Sequence, residues 1–158
     1  MPQRKLRYLK AETAYDYRQA VMLFREYAES LEFSLGFQDF DQELENMPGE
    51  YAPPDGCILL AFVGERCAGC VALRKLEEGV CEMKHLHVRP QFRGLGIGKH
   101  LSVMVIDEAR RRGYKKMRLD TAPSMKAALS IYEKLNFKLI PPYRFNPIDG
   151  ALFLELRL

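Results

Sequence analysis

No stretch of this sequence approaches the roughly 20 consecutive apolar residues needed to cross a bilayer, which argues against a helical membrane span. The amino terminus, Met1-Pro2-Gln3-Arg4-Lys5, leads into a polar segment and has no signal-type apolar core, so the expectation is a cytoplasmic protein with no membrane partner. Charge of one sign is also scarce: 24 Lys and Arg against 21 Asp and Glu leave +3, too little to imply a nucleic-acid partner. There is no internal repeat, linker or low-complexity tract. Metal ligands in sets are missing as well. Cys67-Ala68-Gly69-Cys70 has CxxC spacing, but no second CxxC or suitable His pair completes a tetrahedral site. Cys57, Cys67, Cys70 and Cys81 all lie in apolar, strand-like stretches, where a period of two sends Cys67 and Cys70 to opposite faces. They are expected to be buried thiols acting as small hydrophobes, with no metal and no disulfide scaffold.

What is present is enough for one full core. At 158 residues, 47% hydrophobic and 28% charged, the chain reads as a single domain over residues 1–158. Leu6 to Lys10 reads as a strand, followed by a helix from Ala14 to Leu31 with Tyr17, Val21, Phe24, Ala28 and Leu31 on its inner face. A second helical piece runs from Phe40 to Met47. Cys57 to Val63 and Arg66 to Leu76 form a hairpin across Gly64-Glu65, and Val80 to Val88 is a central strand. Ile97, Leu101, Met104, Val105 and Ala109 mark a helix that closes on Arg110-Arg111-Arg112-Gly113, a cationic end suited to the helix dipole. That arginine run is most simply solvated. Lys116 to Thr121 is a further strand, Pro123-Ser124 introduces a helix to Leu135, and Phe137 to Ile140 and Ala151 to Leu156 close a mixed α/β sheet with helices on both faces.

The most telling run joins the central strand to the following helix: Val88-Arg89-Pro90-Gln91-Phe92-Arg93-Gly94-Leu95-Gly96-Ile97-Gly98-Lys99. Glycines at alternate positions let the backbone approach a ligand closely, and the first amides of a helix point outward toward an anion. Arg93 and Lys99 add full charges. A Walker-type loop needs four residues before its Gly-Lys pair and then Ser or Thr; here three separate Gly94 from Gly98, and His100 follows Lys99. A dinucleotide fingerprint, G-x-G-x-x-G, needs one residue more than Gly94 to Gly98 supplies.

The pattern that fits is Arg-x-x-Gly-x-Gly, read as Arg93, Gly96 and Gly98. With Leu119-Asp120-Thr121, the helix Ala128-Leu129-Ser130-Ile131-Tyr132-Glu133-Lys134-Leu135-Asn136-Phe137 and Pro142-Tyr143-Arg144-Phe145-Asn146-Pro147, the chain resembles the GNAT superfamily of acyl-CoA-dependent N-acetyltransferases. The resemblance covers the whole chain in outline and residues 80 to 147 in detail. It implies a mixed, mostly antiparallel central sheet whose middle strands splay, and transfer of an acetyl group from acetyl-CoA to an amine. It places pyrophosphate on the amides of Gly94, Leu95, Gly96, Ile97, Gly98 and Lys99, with the pantetheine arm paired to the backbone of Leu86 and Val88. The thioester then sits in a slot between Val88 and Leu119, and a backbone N–H of Leu86 or His87 serves as oxyanion donor.

Two proton problems remain. An alkyl ammonium with a pKa of about 10.4 must lose a proton before it attacks. By the resemblance Glu82 is the candidate base, directly or through water, against the plainer reading of an exposed strand carboxylate. The departing thiolate needs an acid. Tyr132 shares a helical face with Met125, Ala128 and Leu129, so its ring points inward; the plainer reading is a core tyrosine, and the resemblance to the family's helix-borne tyrosine implies the acid. Two departures from the family pattern stand out. Met125 replaces a usual Asn that contacts the cofactor arm, and Asn136 stands where Gly usually precedes Phe, an exchange a left-handed backbone tolerates. His85 and His87 share a strand face but lack a third partner, which favours a structural role, and His100 is expected to be solvated.

The acceptor wall implied by the resemblance includes Phe33, Phe37, Phe40, Tyr143 and Phe145. Asp39, Asp41, Glu43 and Glu45 would attract a cationic amine or simply form a solvated helix face, whereas Arg144 would favour an acceptor carrying a carboxylate. The expectation is an N-acetyltransferase acting on a primary amine of a small molecule or peptide, in a ternary complex. The alternative is a non-catalytic acyl-CoA-binding or sensing module, against which Tyr132 and Glu82 both argue. The closing strands leave a homodimer open.

Overall fold

In the computed structural model, residues 5–31 and 40–158 are described. Phe33, Phe37 and Asp39 of the expected acceptor wall lie outside them. Neighbours in sequence build the first half of the sheet: β1 (Leu6–Lys10), β2 (Cys57–Val63), β3 (Arg66–Glu77) and β4 (Val80–Val88) pair antiparallel in chain order. β5 (Lys116–Thr121) then lies parallel to β4. That pairing requires a crossover, which α3 (Ile97–Arg111) provides. β6 (Lys138–Ile140) and β7 (Leu152–Arg157) complete a seven-stranded sheet of order β1-β2-β3-β4-β5-β7-β6. Every residue of β2 is buried, because Ile58, Leu60 and Phe62 face one helical layer while Leu59, Ala61 and Val63 face the other. A strand covered on both sides reads as an unbroken apolar run.

The layer over the first face is α1 (Ala14–Ser30) with α2 (Phe40–Glu45), and the opposite layer is α3 with α4 (Lys126–Lys134). α1 opens on a capping box, in which the Thr13 hydroxyl accepts from the Asp16 amide and the Asp16 carboxylate accepts from the Thr13 amide; this satisfies amides that the helix itself cannot. Its buried stripe centres on Ala20, Leu23 and Phe24, with Tyr17, Val21, Ala28 and Leu31 only partly covered. The stripe is therefore rotated from the expected one, because small Ala20 lies against the sheet. α2 stops at Glu45 rather than Met47, since the residue before Pro48 is driven out of helical geometry. The arginine run expected to be solvated is partly tied down: Arg112 pairs with Glu108 and donates to the carbonyls of Pro54 and Gly56. No helix among the described residues is long and apolar enough to cross a membrane.

Register shifts break the alternation at Ala61/Phe62, Cys70/Ala72 and Lys75/Glu77, and the first two decide which side chains meet. Ala61 pairs with Gly69 but Phe62 with Cys67, so Ala68 is an extra residue. Its insertion cancels the expected parity: Cys67 and Cys70 both pack in the core beneath α1, and all the cysteines are buried free thiols. On β4, His87 pairs with Cys70 and Lys84 with Ala72, leaving His85 and Leu86 opposite Val71. His85 takes φ 57°, a left-handed conformation that non-glycine residues rarely adopt. Strict alternation would send His85 and His87 to the face opposite Glu82 and Lys84. The bulge instead turns both imidazoles toward α1, where Tyr27 meets His85 and His87 at 6.0 and 5.9 Å between ring centroids, while Leu86 and Val88 join the α3 side.

Candidate active site

The glycine run becomes a bare helix start. After a single turn at Pro90–Phe92, Gly94 and Gly96 take φ 85° and 77°, and α3 begins at Ile97 with no side chain capping its first amides. A Cβ built on Gly94 or Gly96 meets nothing within 4 Å. Packing therefore does not demand these glycines; the left-handed backbone does, and so would a ligand lying over it. Gly98 differs. Its missing side chain lets α4 close on α3, since a Cβ there would come within 3.2 Å of Ile131. Arg93 is exposed and bends back to donate from Nε to the Val88 carbonyl at 3.2 Å, and Leu95 and Lys99 are exposed beside it. His100 is not merely solvated, for its ring stacks on Tyr8 at 4.1 Å.

Beside the loop the sheet opens. β4 and β5 pair only from Val80 to Glu82 and from Lys116 to Arg118, so the β5-facing edge of β4 beyond Glu82 has no strand partner among the described residues. The resulting slot is lined by Lys84, His85 and Leu86 on one side and Leu119 on the other, with Tyr27 from α1 and Tyr132 from α4 reaching in. Met125 also lines it, at the position that departs from the family pattern. Tyr132 is 5% exposed, and its ring lies 5.5 Å from Phe137. Burial pushes its hydroxyl far above the usual phenol range, with Tyr27 and Asp120 adding to the effect. It is a neutral donor throughout the physiological range. Asn136 closes α4 with φ 73°, as its sequence position led us to expect.

Glu82 is not the exposed carboxylate of the plainer reading. It is fully buried and holds several donors: Arg74 Nε at 2.9 Å on one oxygen, and the Tyr143 hydroxyl at 2.6 Å together with Arg144 on the other. Arg74 also binds Glu50 through its remaining arm. Arg74 attracted no notice in the sequence, because it sits on β3 and meets Glu82 only through cross-strand register. The acidic α2 face divides: Glu43 turns inward to accept from the Tyr51 hydroxyl and to meet His85 Nε2 at 3.3 Å. Burial raises the Glu43 carboxyl, but the bonds from His85 and Tyr51 outweigh it and hold its pKa at about 2. His87 belongs to a different network, 3.9 Å from Glu26, which is itself clamped by Arg89. The two imidazoles thus share a face without forming a relay, and burial depresses both. Among the described residues, no group of three His, Cys, Asp or Glu side chains is placed to hold a metal ion.

Residues 17–137 match the model of the acetyltransferase (GNAT) family. An uncharacterized N-acetyltransferase of Schizosaccharomyces pombe is 38% identical over 139 residues, spanning 87% of this chain and 85% of its own length. Among solved structures, an acetyltransferase of Streptococcus agalactiae superposes with TM-score 0.79 at 21% identity, covering 97% of this chain and 98% of its own. A Bacillus subtilis acetyltransferase solved in complex with CoA does so with TM-score 0.68 at 21% identity, covering 98% and 99%. The bare start of α3, the parted strands and the inward tyrosine thus occur in a chain that belongs to the acetyltransferase (GNAT) family.

Proposed function

We propose that this chain transfers an acetyl group from acetyl-CoA to a primary amine, with donor and acceptor bound together. The observation that carries the reading is the uncapped start of α3, its amides bared by left-handed Gly94 and Gly96, at the mouth of the slot where β4 and β5 part. The Bacillus subtilis neighbour, crystallised with CoA, supports the cosubstrate class. Acetyl-CoA supplies an activated thioester, and the protein does the rest. The amides of residues 94 to 99 and the charges of Arg93 and Lys99 hold pyrophosphate. The backbone of Leu86 and Val88, on the edge of β4 that β5 leaves, pairs with the pantetheine arm once Arg93 gives up the Val88 carbonyl, and an N–H of Leu86 or His87 stabilises the oxyanion. Tyr132 gives its proton to the departing thiolate. A non-catalytic sensor would have no use for a buried tyrosine aimed into the slot, and this favours the enzyme.

Glu82 takes a different part from the one first expected. With both oxygens occupied, direct proton abstraction would break a bond to Arg74, Tyr143 or Arg144, so in this reading the carboxylate positions those side chains and the amine proton leaves through water. Glu82→Gln is expected to destabilise the fold by about 2 kcal/mol, because it turns a charged acceptor into a partial donor among donors. The pH dependence of kcat/KM should keep its shape. Loss of its acidic limb in the variant would restore Glu82 as the base.

Isothermal titration with acetyl-CoA and CoA, using ATP and NAD as controls, tests the cosubstrate. Micromolar binding of the acyl-CoA compounds alone is the expected result. A folded sample that fails to bind CoA overturns both the enzyme and the sensor.

A further inference from the structure

A second cleft of ≈ 610 Å³ adjoins the slot, lined by Glu43, Glu50, Arg74, Lys84 and Arg144 among others. Lys84 lines both cavities, so the cleft opens where an acceptor must lie to present its nitrogen to the thioester. The charges around it are arranged unequally. Glu43 is turned away into Tyr51 and His85, and Glu50 is a rim residue with its side chain 69% exposed. Beneath the floor, the single buried carboxylate of Glu82 is shared by two guanidiniums, those of Arg74 and Arg144. Arg144 must share its acceptor: its buried Nη2 pairs with the same Glu82 carboxylate that Arg74 holds, while Asp120 stands 3.9 Å from its Nε. Burial, and then the like charge of Arg74, holds the Arg144 pKa down to about 10. A guanidinium carries five N–H donors, so two desolvated guanidiniums sharing one buried carboxylate at a cavity wall have donors that a further anion would complete.

We propose that the acceptor is an amine that also carries a carboxylate, a small amino acid, whose carboxylate docks on Arg144 with Arg74 and Lys84 alongside while its amino group points into the slot. The planar fork of arginine matches a carboxylate in a way that a lone ammonium does not. The inference rests on the acetyltransferase reading, and its test separates the two.

The protein, first shown to bind CoA by calorimetry, is given acetyl-CoA and a panel of the standard amino acids, their amides and their decarboxylated amines, and free thiol is followed. At least one amino acid should be acetylated, with its amide and decarboxylated counterpart about 100-fold or more lower in kcat/KM, because a site built to bond a polar group rejects analogues that lack it. Arg144→Gln should raise KM for that amino acid by about 10- to 100-fold while leaving kcat within a few-fold and CoA affinity unchanged. Equal turnover of the uncharged counterparts overturns the proposal, and so does the absence of thiol release from every amino acid in a protein that binds CoA. Failure to bind CoA overturns the acetyltransferase reading with it. The wild-type panel decides even if Arg144→Gln does not fold.

Discussion

Tyr132→Phe is expected to lower turnover by about 10²- to 10⁴-fold, the range for removal of a positioned general acid, while CoA binds as before. The substitution deletes one oxygen from a ring that is 5% exposed and packed on Phe137. Volume and apolar contacts are retained, so the fold should be little affected. The effect is large because no other phenol or acid described at the slot stands on α4: Tyr27 enters from α1, beside His85 and His87. A calorimetric Kd for CoA alongside single-turnover thiol release separates the outcomes. A lower rate with unchanged Kd marks an interaction made only during reaction. Unchanged turnover would remove Tyr132 from the chemistry.

Gly96→Asp should act at the other end of the cosubstrate and show the opposite split. A Cβ at Gly96 meets nothing within 4 Å, so the variant does not clash with its own fold, and Asp is among the residues that tolerate a left-handed backbone, at a cost of about 1 kcal/mol. The new carboxylate stands over the first amides of α3, where it occupies the donors and repels phosphate. Two like charges about 4 Å apart near a protein surface repel by about 4 kcal/mol, corresponding to about a 1000-fold loss of CoA affinity. Titration should show that loss with the melting temperature shifted by only a few degrees. Native affinity in the variant would displace the pyrophosphate from this loop.

Where sequence and structure agree, the reason is local. β1, β2, β4 and β5 fall at the residues their apolar patterns indicate, because each is a short apolar or alternating run bounded by polar or turn residues in its own neighbourhood. The start of α3 after the glycine run is equally legible, since the glycines and the helix that follows are contiguous. What could not be read were the bulges at Ala68 and at His85-Leu86. One inserted residue reverses every side chain beyond it, and nothing in Cys67-Ala68-Gly69-Cys70 or Lys84-His85-Leu86-His87 announces the insertion. The partners of Glu82 were hidden for a related reason. Arg74, Tyr143 and Arg144 come from β3 and from the segment between β6 and β7, so only sheet register and loop closure bring them together. Tyr27 lies beside, not on, the stripe that periodicity selects on α1, and Tyr51 closes the short turn Gly49–Tyr51, where no periodicity exists to mark it. The packing role of Gly98, where a Cβ would meet Ile131 of α4, was hidden in the same way.

The position of β7 bears on how such a chain comes to be folded. β1 to β4 form a meander in which each strand finds its partner next in sequence, so that half can assemble while synthesis is still under way. β5 and β6 must wait, because the strand that separates them is the last of the sheet in chain order. Until β7 is made, both present open edges, the kind of surface on which chains stick to one another. The arrival of β7 then becomes the moment at which Leu119 is fixed opposite Leu154 and the wall of the slot acquires its final shape.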